Sequence, residues 1–350
     1  MFGPIRNYLR LLAEGHNKGG LSKILIPVLE VASLVYGTVV SIIRFLYEKK
    51  ILRPKRLPFP VVSVGNLTWG GTGKTPLVEY LARKVCEYHR TVMILTRGYS
   101  KDEVNQFHHH LPKVVIGVGR NRVRTAQALI AKNRIDLAIL DDGLQHWPVE
   151  RDAEIVTVNA LNPFGNGKLI PRGILREPVT ILRKATIVVI SHVNLVKPEE
   201  REKLRNRIRT IAPRIQIVES FMEPLFFYRA QNRSRLSLDR LQKERVTTFS
   251  GVGAPRSFQL LLMNLQIKPI RNFEFPDHHV FTERELMEIK AVAESASTDE
   301  IVTTEKDFYR TPEAITRILN PLILAVRLRF VTNEDILTEL LSRFTGATRS

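Results

Sequence analysis

Lys74 and Thr75 close a run of glycines that follows a short apolar segment, and residues of these types at this spacing bind phosphate. The run reads Val61-Val62-Ser63-Val64-Gly65-Asn66-Leu67-Thr68-Trp69-Gly70-Gly71-Thr72-Gly73-Lys74-Thr75-Pro76. A β-branched strand enters the loop and a helix is expected to leave it. Gly70, Gly71 and Gly73 let backbone N–H groups approach an anion, and the helix N-terminus adds positive potential. Lys74 then reaches the β- and γ-phosphates of a nucleotide, and the Thr75 hydroxyl meets Mg²⁺. Thr68 stands where the usual loop has its first glycine. An ordinary Gly-rich turn is the plainer alternative, but it does not account for strand, loop and helix in that order.

Other motifs end expected strands in the same way. Leu137-Ala138-Ile139-Leu140-Asp141-Asp142-Gly143 reads as a buried strand closing in paired acids. Adjacent carboxylates repel, and Mg²⁺ or Lys74 would hold both as anions; Asp-Asp-Gly is also a turn signal. Leu95-Thr96-Arg97-Gly98-Tyr99-Ser100-Lys101-Asp102-Glu103 leaves a second strand, and Asp102 is placed to take a proton from an acceptor hydroxyl unless residues 101–103 are only a solvated loop. A long Gly/Pro loop carries Lys168, Arg172, Arg176 and Glu177, with Arg172 and Arg176 suited to phosphate or to surface ion pairs. Phe275-Pro276-Asp277-His278-His279 offers a carboxylate that would orient an imidazole. His108-His109-His110 reads as a solvated loop without metal partners.

These motifs need a scaffold. Strands are expected at 61–65, 92–96, 114–117, 137–140, 154–158, 186–191 and 215–219, with helices at 75–88, 122–132 and 198–211. That βαβ rhythm with apolar strands predicts an α/β fold: a doubly wound parallel sheet of P-loop type whose ligands gather at the carboxyl ends of the strands. Residues 221–232 read as an extended linker. A second, smaller α/β lobe follows, with strands at 246–250, 300–304 and 322–328 and helices at 256–264, 283–295 and 333–344. The resulting division is 1–57, 58–220, 221–232 and 233–350.

Composition narrows the partners. One cysteine, Cys86, excludes an intramolecular disulfide framework and a Cys-based zinc site. A net charge of +18 suits nucleic acid, an anionic membrane surface or a phosphorylated substrate. No zinc finger, RNP motif or basic patch interleaved with aromatics is present, so nucleic acid carries the least weight. Residues 24–43 are apolar apart from one narrow stripe of Glu30, Ser33, Gly37, Ser41, Arg44 and Glu48, and a basic run from Lys49 to Arg56 follows. This predicts an N-terminal amphipathic helix at a membrane interface; a helix buried in the protein's own core is the alternative. The first 20 residues carry Arg6, Arg10 and Lys18 in a weakly import-like segment. From the residues alone, the reading is a Mg-nucleotide phosphotransferase near a membrane. A membrane-associated NTPase switch is its rival, with Thr304-Glu305-Lys306-Asp307 faintly like a guanine-specifying motif.

Together the motifs resemble the tetraacyldisaccharide 4′-kinase (lipid A 4′-kinase) family. The resemblance spans nearly the whole chain: the apolar helix, GNLTWGGTGKTP, LTRGY, DDGLQHW with Arg151-Asp152, FGNGKLIPRGILREP, FSGVGAP, FPDHH and TTEKD. It implies two α/β/α lobes and transfer of the ATP γ-phosphate to the 4′-hydroxyl of a lipid disaccharide 1-phosphate, giving lipid IVA. It also implies that Gly70, Gly71, Thr72, Gly73, Lys74 and Thr75 bind nucleotide, and that Thr75, Asp141 and Asp142 hold Mg²⁺. Asp102 is the implied base, supported by His278, with Tyr99, Glu103, His146, Arg176 and Glu177 also in the site. Lys101 before Asp102, and Arg172-Gly173-Ile174, depart from the common pattern. The short loop after Tyr99 and the Trp147 of QHW are similar to plant-type members, which implies a mitochondrial location in place of a bacterial inner membrane.

Overall fold

The computed structural model describes residues 12–13, 20–98 and 101–346, with backbone alone at 20, 21, 24, 101 and 102. The import-like segment and Tyr99 therefore lie outside the described residues. Largely apolar segments form the parallel strands Val61–Asn66 (β1), Val92–Thr96 (β2), Val115–Val118 (β3), Leu137–Asp141 (β4), Ala153–Asn159 (β5) and Ile187–Ser191 (β6). All but β3 are buried along their whole length, as strands covered by helices on both faces must be.

Across the sheet these strands run β3-β2-β4-β1-β5-β6. The chain builds β2 to β4 on one side of β1, then crosses to build β5 and β6 on the other. The strand order thus reverses at β1, and a crevice opens there beyond the carboxyl ends of β1, β4 and β5. The loops leaving β1 and β4 are the glycine run and the paired acids.

Gln216–Arg229 (β7) pairs parallel with β6 at its start and antiparallel with Leu322–Thr332 (β12) along its length. Residues 221–229, expected in the extended linker, are the distal part of this strand. The sheet continues through Glu300–Thr304 (β11), Val246–Ser250 (β9) and Arg271–Glu274 (β10), while Arg235–Leu236 (β8) flanks β7. One twelve-stranded sheet therefore runs through both halves of the described chain.

The helices are Gly20–Glu48 (α1), Lys74–Glu87 (α2), Lys101–His110 (α3), Arg122–Ile130 (α4), Pro198–Ile211 (α5), Pro255–Asn264 (α6), Glu283–Ser295 (α7), Glu305–Phe308 (α8), Pro312–Ile318 (α9) and Glu334–Thr345 (α10). Helix α10 was expected in the second unit. Instead Leu337, Leu340 and Leu341 share a core with Leu77, Leu81 and Val85 of α2, because β12 carries the chain back along β7. The histidine run is not a solvated loop but the last turn of α3. Phe107 and Leu111, both buried, fasten that turn, and His110 Nδ1 lies 3.0 Å from Glu79 Oε2 on α2.

Helix α1 packs with its polar stripe inward. Ser33 Oγ donates to the Leu169 carbonyl at 2.8 Å, Tyr36 Oη donates to the Arg176 carbonyl at 2.9 Å, and Glu48 pairs with Lys184. Val28, Val31, Leu34, Val35, Val39, Ile42 and Phe45 face outward, with Leu34 72% exposed. The core-helix alternative is therefore excluded.

Candidate active site

The glycine run turns from β1 into α2 through two left-handed residues, Gly70 (φ 111°) and Gly73 (φ 79°). Both favour glycine because a Cβ clashes in that region. Helix α2 starts without a side-chain cap on its amides, and Pro76 sits in its first turn, where its missing N–H costs nothing. Its N-terminal amides are thus available to an anion. Thr72 takes a structural role, its hydroxyl 2.8 Å from that of Thr157 on β5, and Asn159 Nδ2 donates to the Gly71 carbonyl.

Lys74 Nζ lies 3.5 Å from Asp142 Oδ1, and Arg176 Nη1 approaches both carboxylate oxygens of Asp142, at 2.9 and 3.0 Å. Burial opposes the charge on Asp142, but Lys74 and Arg176 outweigh it and hold its pKa down at about 2. Asp141 is the reverse case. Burial, together with Glu103 and Asp142, pushes it up to about 7 despite Lys74 and Arg122. Its Oδ2 accepts from Thr96 Oγ1 at 3.1 Å, and Glu103 Oε1 accepts from Thr75 Oγ1 at 3.2 Å.

This set fits Mg²⁺. Asp141, whose charge is opposed by burial, Glu103 and Asp142, is a group a divalent cation relieves, and the Thr75 hydroxyl lies in the same cluster through Glu103. Mg²⁺ commonly takes only one or two carboxylates, completing its shell with water and substrate phosphate. No cage of three or more His, Cys, Asp or Glu side chains forms among the described residues, and Mg²⁺ of this kind needs none.

The paired-acid turn is held from beneath by Arg122, a residue the sequence reading missed. Its guanidinium donates to the carbonyls of Asp141 (2.6 Å) and Asp142 (3.2 Å) and fixes Asp142 at φ 51°. Arg122 opens α4 and is 2% exposed. His146 lies beside this turn. Burial, then Arg122 and Arg151, lower its pKa to about 4, so it is a neutral imidazole, and its Nε2 has no partner among the described residues. Glu177 turns away from Asp142 into the protein. It is 1% exposed, and burial raises its pKa to about 7.

The second half of the chain closes over this crevice. Asp277 and Lys306 bring FPDHH and TTEKD to the phosphate loop: Lys306 Nζ is 3.4 Å from Glu103 Oε1 and 3.5 Å from Asp277 Oδ1. His278 Nε2 is 3.7 Å from Asp277 Oδ2, whereas His279 stacks on Phe275 and bonds Glu285 at 2.9 Å. Burial opposes the Asp277 charge, and Lys306, His278 and Arg310 lower its pKa nonetheless. Gly253 of FSGVGAP lies against the loop backbone, where an added Cβ would come within 2.3 Å of the Gly71 nitrogen. Asp307 is wholly buried; it accepts from the Gly251 amide at 2.9 Å and holds this turn in place. Asp102 lies in the first turn of α3, one residue before Glu103, and its side chain is outside the described residues. Lys306 is hard to find by sequence because Glu103 lies far along the chain, and Arg122 because it acts on backbone carbonyls, which no local motif names.

A polyphosphate cradle, two acids for a metal and cationic groups from both halves of the chain define a phosphoryl-transfer enzyme of the P-loop class. The family model described as tetraacyldisaccharide-1-P 4′-kinase matches residues 25–107 and 102–345. A probable mitochondrial tetraacyldisaccharide 4′-kinase of Arabidopsis thaliana is 36% identical over 85% of this chain and 84% of that protein. The tetraacyldisaccharide 4′-kinase of Halothermothrix orenii is 31% identical over 87% of each. The crystal structure of the "apo" form of LpxK from Aquifex aeolicus in complex with ATP superposes with a TM-score of 0.68 at 27% identity, covering 93% of this chain and 99% of that one. The chain belongs to the tetraacyldisaccharide 4′-kinase family.

Proposed function

We propose that this chain transfers the γ-phosphate of ATP to the 4′-hydroxyl of a tetraacyldisaccharide 1-phosphate at a membrane surface. The observation that carries this is the convergence of Lys74, Arg176 and Asp142 at the mouth of the glycine loop, under Lys306 and Asp277 of the second half. Lys74 and the α2 amides hold the phosphates, and Lys74 trades its Asp142 contact for phosphate charge. Thr75, Asp141 and Asp142 hold Mg²⁺, which supplies positive charge to the phosphate oxygens when bound. Arg176, already aimed at this point, steadies charge on the transferring group. Asp102 takes the hydroxyl proton, and His278 supports it from the opposite lobe. On this reading the acceptor enters between the nucleotide lobe, which α10 completes, and the second lobe inserted into it.

Helix α1 supports the membrane part. Part of its polar stripe is turned to the protein through Ser33, Glu30 and Glu48, and outside lies a row of exposed apolar side chains followed by the exposed Lys49, Lys50 and Arg53. It is long and apolar enough to cross a bilayer by length and composition. Because the body of the protein lies along one flank, α1 sits at the interface with that flank up. The likeness to the Arabidopsis protein labelled mitochondrial supports a mitochondrial membrane, and the bacterial relatives support an inner-membrane counterpart.

The test is incubation of the purified protein with ATP, Mg²⁺ and a lipid disaccharide 1-phosphate in micelles, followed by mass spectrometry. One added phosphate on the distal sugar is expected. Nucleotide turnover with no phosphate on the acceptor overturns the reading. In parallel, sedimentation with anionic vesicles is expected to capture the wild type and to lose the Leu34→Glu/Ile42→Glu variant.

A further inference from the structure

The loop from 162 to 178 has little regular structure of its own, yet it delivers Arg176 to the phosphate site. Its own turns fold it, with the Ile170 amide donating to the Leu175 carbonyl and the Gly173 amide to the Leu169 carbonyl, both at 2.8 Å, and two neighbours fix where it sits. On one side it is sewn to the mouth of the glycine loop: the Arg176 amide donates to the Leu67 carbonyl at 2.7 Å, and the Trp69 amide donates to the Ile174 carbonyl at 2.7 Å. On the other side it is sewn to α1. Ser33 reaches the Leu169 carbonyl and Tyr36 reaches the Arg176 carbonyl. Glu30 lies 3.7 Å from Arg172, and a Cβ at Gly37 would stand 2.7 Å from Leu169 Cδ1, so the helix backbone itself abuts the loop.

Arg176 is where the two seams meet. Its amide belongs to the phosphate loop, its carbonyl to α1, and its guanidinium to Asp142. We propose that α1 is a strut of the active site as well as an anchor, with Tyr36 the positioning residue that sets Arg176 through its carbonyl. The proposal rests on the reading of α1 as membrane-seated, since it makes the seating of that helix and the placement of a phosphate-facing arginine one event. An anchor needs only an apolar face; it has no use for a tyrosine hydroxyl aimed at an active-site carbonyl from the opposite face.

The test uses the full chain with Tyr36→Phe, which keeps the ring and removes the hydroxyl. Transfer to the lipid acceptor is measured in micelles, where no bilayer seating is required. Loss of one neutral hydrogen bond predicts a fall in kcat of about fivefold, with KM for ATP and vesicle sedimentation unchanged and the melting temperature lowered by at most about 4 °C. In an Arg176→Ala background the same substitution is expected to change nothing further, because Tyr36 acts only through Arg176. Amide hydrogen exchange over residues 165–177 is expected to rise in Tyr36→Phe. That readout holds even if the wild type leaves the acceptor unphosphorylated, a result that would sink the proposed function but not the strut. Wild-type kcat with wild-type exchange in Tyr36→Phe, or an undiminished fivefold loss on top of Arg176→Ala, overturns the proposal.

Discussion

Gly253→Ala isolates the contact between the two lobes. Gly253 has no left-handed backbone to protect, so a methyl group there is a purely steric probe. It would stand 2.3 Å from the Gly71 nitrogen, 2.9 Å from the Gly70 carbonyl carbon and 2.6 Å from Asp277 Oδ2. The carboxylate can swing aside, but the loop backbone cannot without moving the cradle. Restoring ordinary contact takes roughly 1 Å of retreat between the FSGVGAP turn and the glycine loop, and overpacking of this kind costs about 1–3 kcal/mol. A displacement of that size at the reacting groups lowers turnover by about 100-fold. Steady-state transfer in micelles gives kcat, calorimetry gives ATP affinity, and a thermal melt confirms folding. The expected result is a folded protein with a large loss in kcat and a smaller loss in ATP affinity. If kcat stays within about twofold of wild type, the two turns need not touch during catalysis and the reasoning fails.

Three further outcomes follow from the site. Lys74→Ala is expected to lose several orders of magnitude in kcat at saturating ATP while melting normally, since its contribution lies in phosphate charge and not in the fold; near-normal turnover counts against the cradle. Asp102→Ala and His278→Ala are each expected to lose most of kcat, with the double variant little worse than the poorer single; additive losses mean they act apart. His110 is half-buried, which opposes its charge, yet Glu79 and Glu305 outweigh that and raise its pKa against Arg83. A raised histidine stabilises the fold fully below its unfolded pKa and loses that contribution as pH rises through the folded value. Urea melts of wild type and His110→Asn are therefore expected to differ most below the ordinary imidazole pKa of about 6.5 and to draw closer as pH rises above it; a constant gap removes the titration from the account.

The first lobe was legible because periodic burial and local motifs carry it. Val61–Gly65 and Leu137–Leu140 are apolar at every position a fully covered strand requires, and each strand end shows its own chemistry. The second lobe was harder: Arg271–Glu274 pairs with β9 as a polar, largely exposed edge strand and gives no apolar signal. The polar stripe of α1 was readable on a helical wheel, but not the fact that it faces the protein, because its partners lie about 140 residues onward. Lys306 escaped for the same reason, and Arg122 because its partners are backbone carbonyls on another element. A cation's role is set by which carbonyl or carboxylate the fold places beside it, and nothing local to Arg122 names Asp141.

The return of the chain through β12 to α10 has a consequence for synthesis. Domains that fold in order of emergence can close as each leaves the ribosome. This nucleotide lobe cannot, because Leu337, Leu340 and Leu341 cover the apolar side of α2 and are made after the whole second lobe. A nascent chain or a prematurely terminated product presents the phosphate-loop helix uncovered, however well its strands have paired. The second lobe, meanwhile, leaves and re-enters near Glu223 and Arg327, which sit side by side in the sheet. It is an insertion into the first lobe, so completing the core under α2 reports that translation has passed through the whole of the second lobe.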